Sequence, residues 1–231
     1  MSRYKAIYEN HAMEYHRMIA VEDTDGNLLP AMQRVTPLRD KRILDVGSGT
    51  GRIPILLKDE SKNIIGFELQ RAMLQEQRRQ RGYVGGNWGL AQGDMRALPF
   101  LAQSMEVVVA GWSIGHFCSW FEMGWKVQIG RVLDEMHRIV VPGGALIILE
   151  TMTTGSLTPA PPTTKLAQYY EWLEEHWGFH KEIIQTDYQF RHVAQAIEYT
   201  EFFFGPELAE KIKEYQWSRL PEWTGVWGKK L

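Results

Sequence analysis

The sequence predicts an α/β fold, a doubly wound sheet with helices on both faces. Three observations predict it: short, continuously apolar runs alternate with helical patterns up to residue 150, the first run ends in a glycine-rich turn, and later runs end in a carboxylate or a glycine. Runs of this length without polar alternation suit strands covered on both sides, as in a parallel sheet. Strands alternating with helices then imply right-handed crossovers.

The runs are residues 42–46 (RILDV), 63–67 (NIIGF), 88–92 (WGLAQ), 106–110 (EVVVA) and 145–149 (ALIIL). The clearest helix covers 126–140, where Ile129, Val132, Leu133, Met136, Ile139 and Val140 form one stripe at period 3.6. Pro142-Gly143-Gly144 follows it and turns the chain into the fifth run. Residues 151–164 (TMTTGSLTPAPPTT) read as a long loop, from their prolines and small polar residues. Beyond it, helices are expected over 165–177 with Gly178 as C-cap, 191–203 and 206–218, and strands over 181–190 and 222–230.

Composition narrows the function. With 231 residues, 44% hydrophobic and 23% charged, the chain suits one α/β domain. Its formal net charge of −2 offers no global field to gather polyanions, so nucleic acid is not the expected partner. The lone Cys118 makes neither an intrachain disulfide nor a multi-thiolate metal site. The charged first residues lack the apolar region of a secretory signal, and no run approaches bilayer length, so a cytoplasmic protein with no membrane span is expected.

Residues 43–51 (ILDVGSGTG) carry the functional signal. Glycine there permits positive φ and leaves no Cβ against a ligand. The turn sits at the carboxyl end of the first strand, where open α/β sheets bind ligands, and before a helix whose first N–H groups are unpaired. A dinucleotide fingerprint would place its third glycine at position 52, which is Arg52, and there is no GK[ST] phosphate-binding element. Asp45 would oppose a pyrophosphate but suits a cationic ligand.

Asp45-Val46-Gly47-Ser48-Gly49-Thr50-Gly51 resembles motif I (DxGxGxG) of the class I, Rossmann-like S-adenosylmethionine-dependent methyltransferases. The resemblance covers roughly residues 40–150 and includes the helix–turn–strand at 133–150. It implies a mostly parallel seven-stranded sheet with an antiparallel last strand, an N-terminal helical lid and a helical insertion near the C-terminus. A single domain results, with a lid over 1–38, a cofactor core over 39–150 and acceptor-side elements over 151–231. It also implies S-adenosylmethionine as cofactor and S-adenosylhomocysteine as product. Gly47, Ser48, Gly49, Thr50, Gly51 and Arg52, with Asp45, would hold the methionine part. Glu68 and Leu69 at the end of the second strand would bind the ribose, and Asp94 and Met95 after the third the adenine. Gly111 and Trp112 after the fourth strand would line the site.

Each acid also has a plainer reading: Asp45 or Asp94 as a cap, Glu68 as a solvated carboxylate. His116 is the candidate catalytic residue, as a base or a donor that orients the acceptor, or else a packed loop histidine. Tyr8 and Tyr15 are candidate lid residues. Phe202-Phe203-Phe204 with Trp217, Trp223 and Trp227 line an acceptor pocket or fill core. His11, His16, Glu22, Asp23 and Asp25 match no metal-ligand spacing, so no metal is expected. Arg71, Arg78, Arg79 and Arg81 read as a solvated helix face.

Three functions compete: methylation of a small molecule, methylation of RNA or protein, and non-catalytic cofactor binding. The first is favoured by the near-neutral charge. A tetrapeptide of Asn or Asp, two prolines and an aromatic, typical of amino methylation, is absent after the fourth strand. A monomer or homodimer is expected.

Overall fold

A computed structural model describes residues 3–231, without the side chain of Arg3. Residues 1 and 2 of the expected lid lie outside the described residues. The chain opens with three short helices, α1 (Arg3–Asn10), α2 (Ala12–Ile19) and α3 (Leu28–Val35). The alternating part follows: β1 (Ile43–Val46), α4 (Arg52–Leu57), β2 (Ile64–Glu68), α5 (Arg71–Tyr83), β3 (Gly89–Gln92), β4 (Met105–Gly111), α6 (Phe117–Trp120), α7 (Trp125–Ile139) and β5 (Val140–Thr154). The rest is α8 (Thr164–Glu175), β6 (His180–Gln185), β7 (Tyr188–Gln189), α9 (Val193–Phe204), α10 (Pro206–Glu214), β8 (Arg219–Leu220) and β9 (Glu222–Lys230).

Seven strands form the main sheet in the order β3-β2-β1-β4-β5-β9-β6. β1 pairs in parallel with both β2 and β4, so the strand order reverses between β1 and β4. β9 is antiparallel to β5 and to β6, giving the antiparallel last strand expected from the sequence.

Successive residues of each strand feed opposite layers. Leu44, Val46, Val108 and Ala110 pack with Ile129, Leu133 and Met136 of α7. Ile43, Val107 and Val109 pack with Met32 of α3 and Ile53 and Leu57 of α4. A third cluster joins Met18 and Ile19 of α2 to Tyr188, Phe190, Ala196 and Ile212. Helices α1 and α2 and the C-terminal insertion therefore form one cap, whereas α3 packs on the sheet.

Several boundaries differ from expectation. Helix α7 ends at Ile139, and β5 runs through Pro142-Gly143-Gly144 and on to Thr154, well into the expected loop. Pairing of Thr151 and Thr154 with β9 supplies backbone partners that local composition cannot reveal. The expected strand 181–190 breaks at Thr186-Asp187, because Tyr188 and Gln189 pair with β8 instead. Helix α8 stops at Glu175, capped by His176, so Gly178 (φ +70°) turns the following loop and does not cap the helix. Helix α10 ends at Glu214, short of the expected 218.

Candidate active site

The crevice opens at the carboxyl ends of β1, β2 and β4, at the reversal of strand order where ligands bind in such sheets. Its lining includes every residue the sequence assigned to the cofactor except Gly51. Gly51 lies just behind, as the left-handed N-cap of α4 (φ +95°).

Gly47 is required by close approach. Its φ is +71°, and a Cβ there would lie 2.4 Å from Ser113 Cβ and 2.9 Å from Met95 Cε. The turn is tied beneath: Ser48 Oγ donates to Gln77 Oε1 (3.0 Å), and Ser113 Oγ donates to the Val46 carbonyl (3.1 Å).

Asp45 is 1% exposed, and neither carboxylate oxygen has a hydrogen-bond partner among the described residues. Burial, with the nearby charge of Glu68, pushes its carboxyl well above the usual range. A buried carboxylate with no partner is costly, so this site calls for a cation. Glu68 accepts from the N–H groups of Gly49 (2.9 Å) and Gln70 (2.8 Å). Each of its oxygens keeps lone-pair capacity for a hydroxyl donor. Asp94 lies in the crevice but is engaged by Arg96, whose Nε is 3.0 and 3.1 Å from the two carboxylate oxygens. It also accepts from the Arg96 N–H, which is the capping role the sequence left open.

Arg52, where a dinucleotide fold has glycine, forms a buried ion pair with Glu22 (2.7 Å) and lies 3.9 Å over the Trp112 ring. Trp112 holds φ +49°, a conformation rare for a bulky residue, and its N–H donates to the Leu149 carbonyl (2.7 Å).

The family model described as "Methyltransferase domain" matches residues 44–148. A malonyl-[acyl-carrier protein] O-methyltransferase of Legionella pneumophila is 28% identical over 142 residues, 61% of this chain and 46% of that protein. A demethylmenaquinone methyltransferase of Thermus thermophilus is 29% identical over 112 residues, 48% of this chain and 47% of that protein. The chain thus spans about half the length of these curated relatives.

The part of the chain that carries the glycine turn, Glu68 and Asp94 is thus similar to known methyltransferases.

Solved methyltransferase structures share the fold at low identity. One from Aquifex aeolicus superposes with a TM-score of 0.55 at 13% identity, covering 91% of this chain and 90% of that one. Phosphoethanolamine N-methyltransferase 2 of Haemonchus contortus, in complex with S-adenosyl-L-methionine, gives 0.60 at 15%, covering 100% and 60%.

The residues of the crevice fit S-adenosylmethionine. The unpartnered Asp45 carboxylate suits its ammonium, the bare Gly47 turn its methionine chain, and Glu68 its ribose diol.

Over the crevice sits the cap. Tyr8 Oη and His116 Nε2 are 2.8 Å apart, and Tyr15 packs edge-on against Tyr8. His16 Nδ1 meets Thr50 Oγ1 at 3.0 Å, fixing α2 to the glycine turn. Burial lowers the His116 imidazole to about 4, so it is neutral at physiological pH, and its ring stacks on Trp120. Of the weak metal set, His16 serves Thr50 and Glu22 serves Arg52. Asp23 accepts from the N–H groups of Asn27 and Leu28, and Asp25 pairs with Arg219. Arg79 pairs with Glu76 on α5, and Arg81 donates to the Trp88 carbonyl.

Beyond the cap is a second cavity of about 980 Å³. Tyr8, Tyr15, Ile19, Arg52, Trp112 and His116 line both spaces. Of the late aromatics, Phe203 and Phe204 reach this cavity, whereas Trp227 is core, Trp217 packs in the cap cluster, and Trp223 donates to the Ser156 carbonyl. The reading from sequence missed Glu150, a buried cavity carboxylate on β5. The signal was present: it directly follows the apolar run ALIIL, much as Glu68 follows IIGF.

Proposed function

We propose that this chain transfers a methyl group from S-adenosylmethionine to a small-molecule acceptor held in the 980 Å³ cavity. The observation that carries the reading is the shared wall. Tyr8, Tyr15, Arg52, Trp112 and His116 face the cofactor crevice on one side and the cavity on the other. A cavity of this size, lined by Tyr4, Tyr8, Tyr15, Trp112, Phe203 and Phe204, favours a small molecule over a polymer.

The bound cofactor supplies an electrophilic methyl on a sulfonium, a good leaving group. The protein's share is alignment and exclusion of water. Asp45, the Gly47 turn and Glu68 fix one reactant. The cap aromatics cover the junction and keep it dry. His116, neutral and hydrogen-bonded to Tyr8, orients an acceptor donor or takes its proton through that hydroxyl.

The test combines calorimetry with S-adenosylmethionine and S-adenosylhomocysteine and transfer of labelled methyl into a metabolite extract. Binding of both and label in small molecules are expected. Asp45→Asn and Glu68→Ala should each weaken binding by about tenfold or more, the scale of a hydrogen bond to a charged group. No binding by the parent chain, or label only in RNA or protein, would refute the reading.

A further inference from the structure

The second cavity contains an ionisable group that the cofactor site does not use. Glu150 is 5% exposed, yet it lines the cavity. Its one hydrogen bond among the described residues comes from the Gly115 N–H (2.8 Å). Gly115 directly precedes His116, so the carboxylate stands beside the seam between cavity and crevice.

Two of the three lysines and arginines that line the cavity are engaged elsewhere. Arg52 is committed to Glu22, and Lys211 Nζ donates to the Gly155 carbonyl. The groups that face Glu150 are Tyr8 from α1, Cys118 from α6, and Tyr169 and Tyr170 from α8. Lys165, on α8, also lines the cavity and makes no ion pair with Glu150 among the described residues. Burial lifts the Glu150 carboxyl to about 8. Beside a neutral hydroxyl the carboxyl keeps its proton, whereas a cation lets it ionise and form a paired, hydrogen-bonded carboxylate. The aromatic faces of Tyr4, Tyr8 and Phe203 are also suited to a cation.

We propose that Glu150 is a specificity-determining residue that anchors a protonated amine of the acceptor, so that the methylated small molecule is an organic cation. This rests on the reading of the cavity as the acceptor site. The anchored nitrogen and the methylated atom are separate questions.

Calorimetry on the full chain saturated with S-adenosylhomocysteine tests it. The probes are 2-phenylethylamine, 2-phenylethanol and phenylacetate, and n-hexylamine, n-hexanol and hexanoate. Each amine should bind more tightly than its alcohol and carboxylate counterparts. Glu150→Gln, which keeps the bond from Gly115, should weaken the amines about tenfold or more, the scale for losing a buried charge partner, and leave the alcohols unchanged. A purely structural role would not move a second readout. At pH 7 amine binding should release protons, seen in buffers of different ionisation enthalpy, and the release should shrink above pH 8 and vanish in Glu150→Gln. Alcohols binding as tightly as amines, no amine binding, or amine affinity unchanged in Glu150→Gln overturns the proposal. Failure of the parent chain to bind S-adenosylhomocysteine would instead overturn the cofactor reading on which it stands.

Discussion

At the scale of single residues, the site is built from groups that are costly without a ligand. Asp45 is buried with no partner. Trp112 holds a left-handed backbone conformation under the Arg52 guanidinium. Such strain persists only where the surroundings over-determine it. Gly47 allows the sharpest test. An alanine there meets Ser113 Cβ, an atom fixed close to the backbone of the β4 end, and must also hold φ +71°. Gly47→Ala should therefore cost about 2–4 kcal/mol of stability, from backbone strain plus overpacking. The same methyl shifts the loop carrying Trp112 and His116, so cofactor affinity should fall as well. Denaturant unfolding and calorimetry on one preparation check both. A Gly47→Ala protein as stable and as tight-binding as the parent would mean that the turn relaxes freely.

At the scale of elements, α1 and α2 have eight residues each. Helices so short are marginal in water, so docking must hold them. Their anchors are His16 on Thr50, the Tyr8–His116 bond, and the packing of Met18 and Ile19 against the insertion. All three lie at or beside the cofactor crevice. Amide exchange over residues 4–19 should thus be faster than in β1 and β4, and slow markedly on adding S-adenosylhomocysteine. Equal protection with and without that ligand would separate the cap from the site. Legibility followed the same division. The β1 turn, Glu68 and the α7 stripe were readable because each depends on a few adjacent residues. The weak run at 88–92 proved to be the edge strand β3, which is largely uncovered. The irregular alternation of 222–230 has the opposite cause, since β9 is buried on both faces. The break at Thr186-Asp187, the Glu22–Arg52 pair and the isolation of Glu150 depend on long-range contacts, which no local pattern encodes.

At the scale of the whole molecule, the buried ionisable groups set how stability responds to pH. Glu150 is held near 8 in the folded chain, against 4.5 ordinarily. The folded state therefore keeps a proton that the unfolded chain has released, and this contribution is full below 4.5 and lost as pH rises through 8. Asp45, Glu68, Glu22 and Glu222 are displaced in the same direction, each chiefly by burial. His116 acts oppositely. Burial holds it near 4 against 6.5, so its contribution is full above 6.5 and lost as pH falls toward 4. His16 and His137 share that direction. Above pH 6.5 these three histidines no longer contribute, and the raised carboxylates act, joined near pH 9 by the Cys118 thiol, which burial pushes up to about 12. The melting temperature should then fall steadily from pH 6.5 to 9. Glu150→Gln should match the parent near pH 5 and exceed it by about 4 kcal/mol near pH 9, from the span of that one shift. Thermal melts of both proteins across this range decide the matter. Parallel curves would show that Glu150 reaches solvent or a counter-charge in the folded protein, and a rising parent curve would show the same for the carboxylates as a group.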